Sequence, residues 1–355
     1  MLVVSMPTFQ IDFSRLPTER ERGALQKRLD RVKGAEKTRA VAMGNLRNLA
    51  DNREMTSVRV RHGFVRLSTP LVEDPSDRSA PAHEHRPTAT RLMTPNGIGL
   101  RLMLLALFEA QSRTAPGVRS VGTPIPLRSP GSGKIGWTTL LSTSAKASGE
   151  GKNRMGVVDK QLRQLQTNLA KLEREGLIAP VDSKRRGSKR YEGFFVLCED
   201  IRFGETADAY TVPLDEDHYF EIPLSLFTNG WIYVLEDSEL ALLLMLIRMH
   251  CIHGNEPVKL AASVRLLNYG LSRDATESHL MLTRLGLIDT TVDPERADDG
   301  KVRDYKTAGA QPHVFLFLPT GLDSDAGSTT LGEIQFQLDR QLKGSARRVA
   351  DEATT

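Results

Sequence analysis

Four leucines, Leu162, Leu165, Leu169 and Leu172, recur at spacings of three, four and three. That rhythm puts all four on one side of an α-helix, and it predicts a helix over residues 157–175. Gly176 follows, at the position where helices favour a glycine in the left-handed conformation. Residues 177–181 (LIAPV) then read as a strand and residues 192–197 (EGFFVL) as its antiparallel return. Between them the hairpin tip DSKRRGSKRY, residues 182–191, holds five cations, Lys184, Arg185, Arg186, Lys189 and Arg190, and one anion, Asp182. The helix side opposite the leucines carries Lys160, Gln161, Arg163, Gln164, Thr167, Asn168 and Lys171. This is a set of long donors and amides rather than the mixed acids and bases of a merely soluble face. Two helices are expected ahead of it: residues 97–112, with a stripe of Leu100, Leu104, Leu107 and Phe108, and residues 137–145.

Helix, glycine stop, strand, basic turn and strand in that order resemble the winged helix-turn-helix superfamily. The stretch NLAKLEREGLIAP at residues 168–180 is similar to that family's end of third helix and first wing strand, and SKRRGSKRY at 183–191 to a basic wing. The resemblance covers about residues 97–197. It implies that the third helix enters a DNA major groove while the wing lies along the backbone or the adjacent minor groove. Arginine and amide side chains are suited to guanine and adenine edges, and cations to phosphates. Residues 151–191 hold 11 basic and 4 acidic groups, 11 − 4 = +7, in a chain whose total is 48 − 44 = +4. That concentration of charge argues for a nucleic-acid partner over a protein contact.

A second segment repeats the plan after an acidic connector, residues 198–219. An apolar helix (238–251), a second helix (258–269), a break at Gly270, a cap at Ser272 and a third helix (273–285) lead to TRLGLIDTT at 283–291, which mirrors the earlier LEREGLIAP. A return strand is expected at 313–318 and a wing at 293–306. Residues 256–318 carry 8 basic and 9 acidic groups, and a balanced surface gains little from counterion release. Here Arg273, Thr276, Lys301 and Arg303 are the candidate contacts for a weaker half-site, with a protein interface as the alternative.

The flanks are read as an N-terminal arm, a linker and a tail. Residues 17–49 predict one or two exposed helices, in an arm (1–60) with 12 basic and 7 acidic groups. Pro70, Pro75, Pro81, Pro87 and Pro95 lie among polar residues, a composition that does not bury a core and is expected to be a linker. In the polar tail a helix over 331–342, with Ile334, Phe336 and Leu338, is expected to dock back or to bind a second subunit. The domain expectation is therefore an arm (1–60), a linker (61–96), winged-helix units at 97–198 and 220–319 joined by 199–219, and a tail (320–355). The fold class is α+β, mainly helical. The partners are double-stranded DNA and a homodimer formed through arm or tail.

Other classes are less well supported. The longest apolar runs, residues 102–108 and 240–247, fall far short of the roughly twenty residues a bilayer span requires. The N-terminus lacks a basic leader and a full apolar segment, and two cysteines, Cys198 and Cys251, suit a reducing compartment. A cytoplasmic, nucleoid-associated protein is expected. GSGKIG at residues 131–136 matches GxGxxG by letter, yet Pro124, Pro126 and Pro130 precede it where the dinucleotide fingerprint needs a strand. The closely spaced His250, Cys251 and His253 lack a fourth metal ligand at suitable spacing. No cofactor, metal or catalysis is expected. The function expected is sequence-specific duplex binding by a transcriptional regulator. The alternatives are a plasmid or integrative-element replication initiator, whose paired winged helices bind origin repeats, and a protein-interaction scaffold.

Overall fold

The computed structural model describes residues 16–71, 79–94, 98–131, 133–143, 156–292 and 312–352, with 341–352 as backbone alone. Two helices open the described residues, α1 (Glu19–Gly34) and α2 (Glu36–Asp51). Thr18 and Glu21 close a reciprocal capping box on α1, which satisfies N–H groups that the first turn leaves unpaired. Strand β1 (Ser57–Arg61) follows, then α3 (Thr88–Leu92), α4 (Gly99–Arg113), α5 (Trp137–Leu141) and α6 (Val157–Arg174). Strands β2 (Ile178–Ala179), β3 (Phe195–Val196) and β4 (Tyr219–Pro223) lead to α7 (Ser225–Thr228), α8 (Trp231–Val234) and α9 (Asp237–His253). The remainder is β5 (Val258–Lys259), α10 (Ala262–Tyr269), α11 (Arg273–Thr276), α12 (His279–Arg284), β6 (Ile288–Thr291), β7 (Val314–Phe317) and α13 (Ala326–Glu352). The fold is α+β and mainly helical, as the sequence predicts.

The two apolar runs become the buried helices α4 and α9. Every residue of α4 from Leu102 to Ser112 is buried, as are residues 239–249 of α9. A helix apolar on all sides has to be surrounded by protein. Around these helices the same order of elements occurs twice. In the second half α9, β5, α10, α11 and α12, β6 and β7 follow one another, and the antiparallel sheet runs β5-β7-β6. In the first half α4, an extended stretch, α5, α6, β2 and β3 follow, with β2 antiparallel to β3 and Thr123 N–H donating to the Phe194 carbonyl at 3.0 Å. The expected single helix over 273–285 is divided at Glu277 and Ser278. There the backbone tightens to a three-residue bond, Ser278 N–H to Ala275 O at 3.3 Å, and the Ser278 hydroxyl bonds Ser238 of α9 at 2.7 Å.

One contiguous buried cluster runs through the expected domain boundaries. It contains Leu46 of the arm, Leu92 of the expected linker, Leu104 and Leu169 of the first unit, Tyr210 of the connector, and Leu243 and Phe317 of the second. The arm is not an exposed appendage. β1 pairs antiparallel with β4 from Ser57↔Pro223 to Arg61↔Tyr219, burying Val58 and Val60 on one side while Arg59 and Arg61 lie on the other. Arg28 of α1 forms a buried two-armed ion pair with Glu239 of α9, at 2.6 and 2.8 Å. The proline-rich stretch is likewise packed over 88–92, where Ala89 and Leu92 are buried. Pro87 caps α3 rather than extending a tether, and the buried Arg91 guanidinium binds Glu175 at 3.0 Å and the Ile201 carbonyl at 3.0 Å. The tail docks back: Leu331, Ile334 and Leu338 of α13 meet Leu25 and Leu29 of α1. Part of the arm and tail surface expected to offer a dimer contact is thus occupied by the chain itself, while Phe336 of α13 is exposed.

Candidate nucleic-acid interface

Helix α6 forms where the leucine rhythm places it. Leu165, Leu169 and Leu172 are fully buried and Leu162 partly so, against α4 and α5. The helix ends in two bonds that close its last turn: Leu177 N–H to Leu172 O at 2.9 Å and Gly176 N–H to Glu173 O at 3.0 Å. This is the Schellman arrangement, and it requires the positive φ of +73° that Gly176 adopts. The chain then enters β2, whose register with β3 is Ile178↔Val196 and Ala179↔Phe195. Beside this ribbon Gly122 lies so close to the Gly193 carbonyl that a Cβ would stand 2.3 Å from its oxygen, so a glycine there is what lets the third extended segment approach.

The basic loop between β2 and β3 projects into solvent. Lys184, Arg185, Arg186 and Lys189 are exposed, and Arg185 has only a loose 4.0 Å pair with the exposed Asp182. Arg190 behaves differently. Its guanidinium donates to Glu173 of α6 at 2.6 Å, and to the Ser183 and Arg185 carbonyls at 3.0 and 3.2 Å. The buried Tyr191 hydroxyl reaches the other Glu173 oxygen at 2.6 Å. Those bonds hold the Arg190 guanidinium charge, raising its pKa. Arg190, expected to touch phosphate, is therefore the clamp that fixes the loop against the C-terminal half of α6.

The polar side of α6 divides in the same way. Arg163, Gln164 and Thr167 are exposed; Lys160, Gln161, Asn168 and Lys171 are half-buried. Lys171 Nζ donates to the Leu92 carbonyl at 2.8 Å, and burial lowers its pKa. Gln161 Nε2 donates to Thr143 O at 3.0 Å. These two, expected as DNA contacts, instead tie α6 to α3 and to the end of α5. Asn168 and Thr167 each bond the carbonyl four residues back, at 2.9 Å, which leaves acceptor capacity free. Arg174, absent from the sequence expectation, is exposed. At about 100° per residue it lies within roughly 40° of Arg163 and Thr167 around the helix axis. Its spacing of eleven residues from Arg163 and seven from Thr167 is the sequence signal that places it on their side.

In the second unit Arg273 is exposed, whereas Thr276 is buried with its hydroxyl on Ser272 O at 3.0 Å. Thr276 is accordingly removed from the candidate contacts: the break before α12 turns it toward α9 and the core. Lys301 and Arg303, and the expected wing at 293–306, lie outside the described residues. Arg284 is held by Glu333 of α13 at 3.3 Å.

Among the described residues, Cys198, Glu199 and Asp200 bring three potential ligand atoms within 4.8 Å of one another. Glu199 is fully buried and already accepts the Arg61 N–H at 2.9 Å and its guanidinium at 3.0 Å. Burial, with Glu199 and Asp200 adding, pushes the Cys198 thiol up to about 12, far from the thiolate that binds metal or attacks carbon. Among the described residues no helix is long and apolar enough to cross a membrane. Comparison with protein-family models, curated proteins and solved structures returns no match.

Proposed function

We propose that the chain is a sequence-specific double-stranded DNA-binding protein of tandem winged-helix type, with α6 as the recognition helix and residues 180–194 as its wing. The observation that carries this reading is the Glu173 clamp. By holding Arg190 and Tyr191 it ties the loop that carries four exposed cations to the C-terminal half of the helix that bears the exposed Arg163, Thr167 and Arg174. A loop of phosphate-seeking charge next to a helix bearing base-reading donors is the arrangement duplex recognition needs. The β5-β7-β6 sheet behind α10 to α12 supports a second unit of the same type. Its balanced charge fits a weaker contact through Arg273, or a protein interface.

Regulation of transcription is the leading use. The paired units in one chain favour a replication initiator as the second reading, each unit occupying one turn of a repeated site. A genome-wide footprint of the bound protein separates the two: promoter-proximal single sites with altered transcript levels support a regulator, and an array of repeats with altered copy number supports an initiator. Failure to bind any duplex at physiological salt overturns both. At the level of residues, Arg163→Ala is expected to relax preference at one base pair by about 1–3 kcal/mol. An equal loss on every sequence shows that Arg163 touches phosphate only.

A further inference from the structure

A cleft of about 210 Å³ lies where α1, α2, α4 and α6 converge on the start of α9. Two unconnected observations mark its wall as unfinished. Arg101 of α4 has one recorded hydrogen bond, to the Tyr233 carbonyl at 3.2 Å, and its buried Nε has no partner. Thr143, only 7 % exposed, buries a hydroxyl that has no partner either. A buried donor left unsatisfied costs stability, so two on one small cleft point to a ligand that supplies acceptors. Arg39 adds a second buried guanidinium, with one nitrogen on the Val32 carbonyl at 3.0 Å.

Donors left without acceptors select the ligand's chemistry. Guanidiniums from Arg31, Arg39 and Arg101 line the cleft with two carboxylates, Glu236 and Asp237. Glu236 pairs with Arg31 at 2.7 Å; Asp237, which accepts the Thr94 N–H at 3.0 Å, faces Arg101, and Asp325 faces Arg39, though neither closes to an ion pair. The remaining guanidiniums and the threonine hydroxyl suit a compact oxyanion with several acceptor oxygens. The volume lies below the roughly 300–1,000 Å³ of pockets for drug-sized ligands. Gln164 and Asn168 of α6 also line the cleft.

We propose that this cleft binds a small phosphate-bearing molecule through Arg39, Arg101 and Thr143. Bound there, the ligand draws the Gln164 and Asn168 amides away from DNA and lowers duplex affinity. The second half of this proposal rests on α6 being the recognition helix; the site itself does not.

Calorimetric titration of the full chain with pyrophosphate, at constant ionic strength and without DNA, tests it. Saturable binding is expected, weakened about tenfold by Arg101→Lys and by Thr143→Val. Replacing Lys184, Arg185, Arg186 and Lys189 by Ala should leave it intact. The threonine variant keeps the shape and removes an unpartnered hydroxyl, so a purely structural Thr143 predicts unchanged pyrophosphate affinity and an equal or higher Tm. That result, absence of saturable binding, or binding lost only with the loop cations overturns the site. Duplex affinity is then measured with and without pyrophosphate. A decrease in the parent that is absent in Thr143→Val supports the coupling. Weaker duplex binding by Thr143→Val with no pyrophosphate present makes the occupant a DNA backbone phosphate and overturns the free ligand. A chain that binds pyrophosphate but no duplex supports the site and removes the DNA reading. One that binds duplex but no pyrophosphate does the reverse.

Discussion

Replacing the exposed loop cations tests the central reading most directly, and the structure fixes how many to replace. Lys184, Arg185, Arg186 and Lys189 project into solvent, while Arg190 anchors the loop to Glu173. The informative variant therefore carries four alanines, since a fifth at Arg190 would release the loop as well as remove a charge. If all four cations neutralise phosphates, the slope of log K against log salt should flatten by about 3.6 units, four contacts at about 0.9 each. Between 50 and 200 mM salt the parent should then lose roughly a hundredfold more affinity than the variant. Fluorescence anisotropy with a labelled duplex at four or five salt concentrations reads the slope, and thermal denaturation should be nearly unchanged because all four side chains are exposed. A slope change below one unit refutes the wing assignment. A large slope change with an unaltered ranking of duplex sequences shows that specificity lies elsewhere, with α6 as the place to look.

The remaining predictions concern the clamp, the core and one buried acid. Tyr191→Phe removes a bond from a buried hydroxyl to the Glu173 carboxylate, and should cost about 1.5–3 kcal/mol in urea unfolding and weaken duplex binding; unchanged binding argues that the clamp does not position the loop. Leu169→Ala, at a fully buried position, should cost about 2–5 kcal/mol, and an effect below 1 kcal/mol would place that helix face outside the core. Glu239→Ala leaves the buried Arg28 charge unpaired and should cost about 3–5 kcal/mol, which denaturant titration reads. Burial raises Asp237 from 3.8 to about 6, opposed by the Thr94 N–H and by Arg101. Because the folded value exceeds the unfolded one, the folded state binds the proton more tightly. Stability should therefore fall as pH rises from about 4 to about 6 and stay low above that. Asp237→Asn should remove this part of the pH profile and raise stability at pH 7 by about 1–3 kcal/mol; identical profiles for the two proteins would refute the burial argument.

Local order left clear marks in the chain. The leucine rhythm fixes α6 to within a residue of its expected ends, because side chains three and four apart share a helix face whatever surrounds them. Gly176 ends it because the Schellman turn needs positive φ, and the antiparallel return after the cationic tip follows from the two short apolar stretches. The same short-range reasoning placed α4 closely, though it ran α5 on to residue 145 where the helix ends at Leu141 before the left-handed Ser142, and took 258–269 as one helix where β5 precedes α10. Which polar groups are free is another kind of question. Lys171, Gln161 and Arg190 look alike in the sequence, three donors beside other donors, yet each binds an acceptor supplied by a distant or differently folded segment.

What the sequence by itself determined is therefore the kind and order of elements, the two wholly apolar helices and the concentration of positive charge between residues 151 and 191. Those properties depend on neighbours within a few positions along the chain. Only the tertiary structure decided that the described parts of the arm, of the proline-rich stretch and of the tail pack against the rest of the chain, that Thr276 is buried, and that Arg174 completes the exposed stripe. It also brought Arg39, Arg101 and Thr143 to one cleft beside Gln164 and Asn168. The physical reason is that burial and hydrogen-bond satisfaction are set by whichever surfaces meet in space. A β1–β4 pairing across some 160 positions, or an Arg28–Glu239 pair separated by 211, has no local periodicity to announce it.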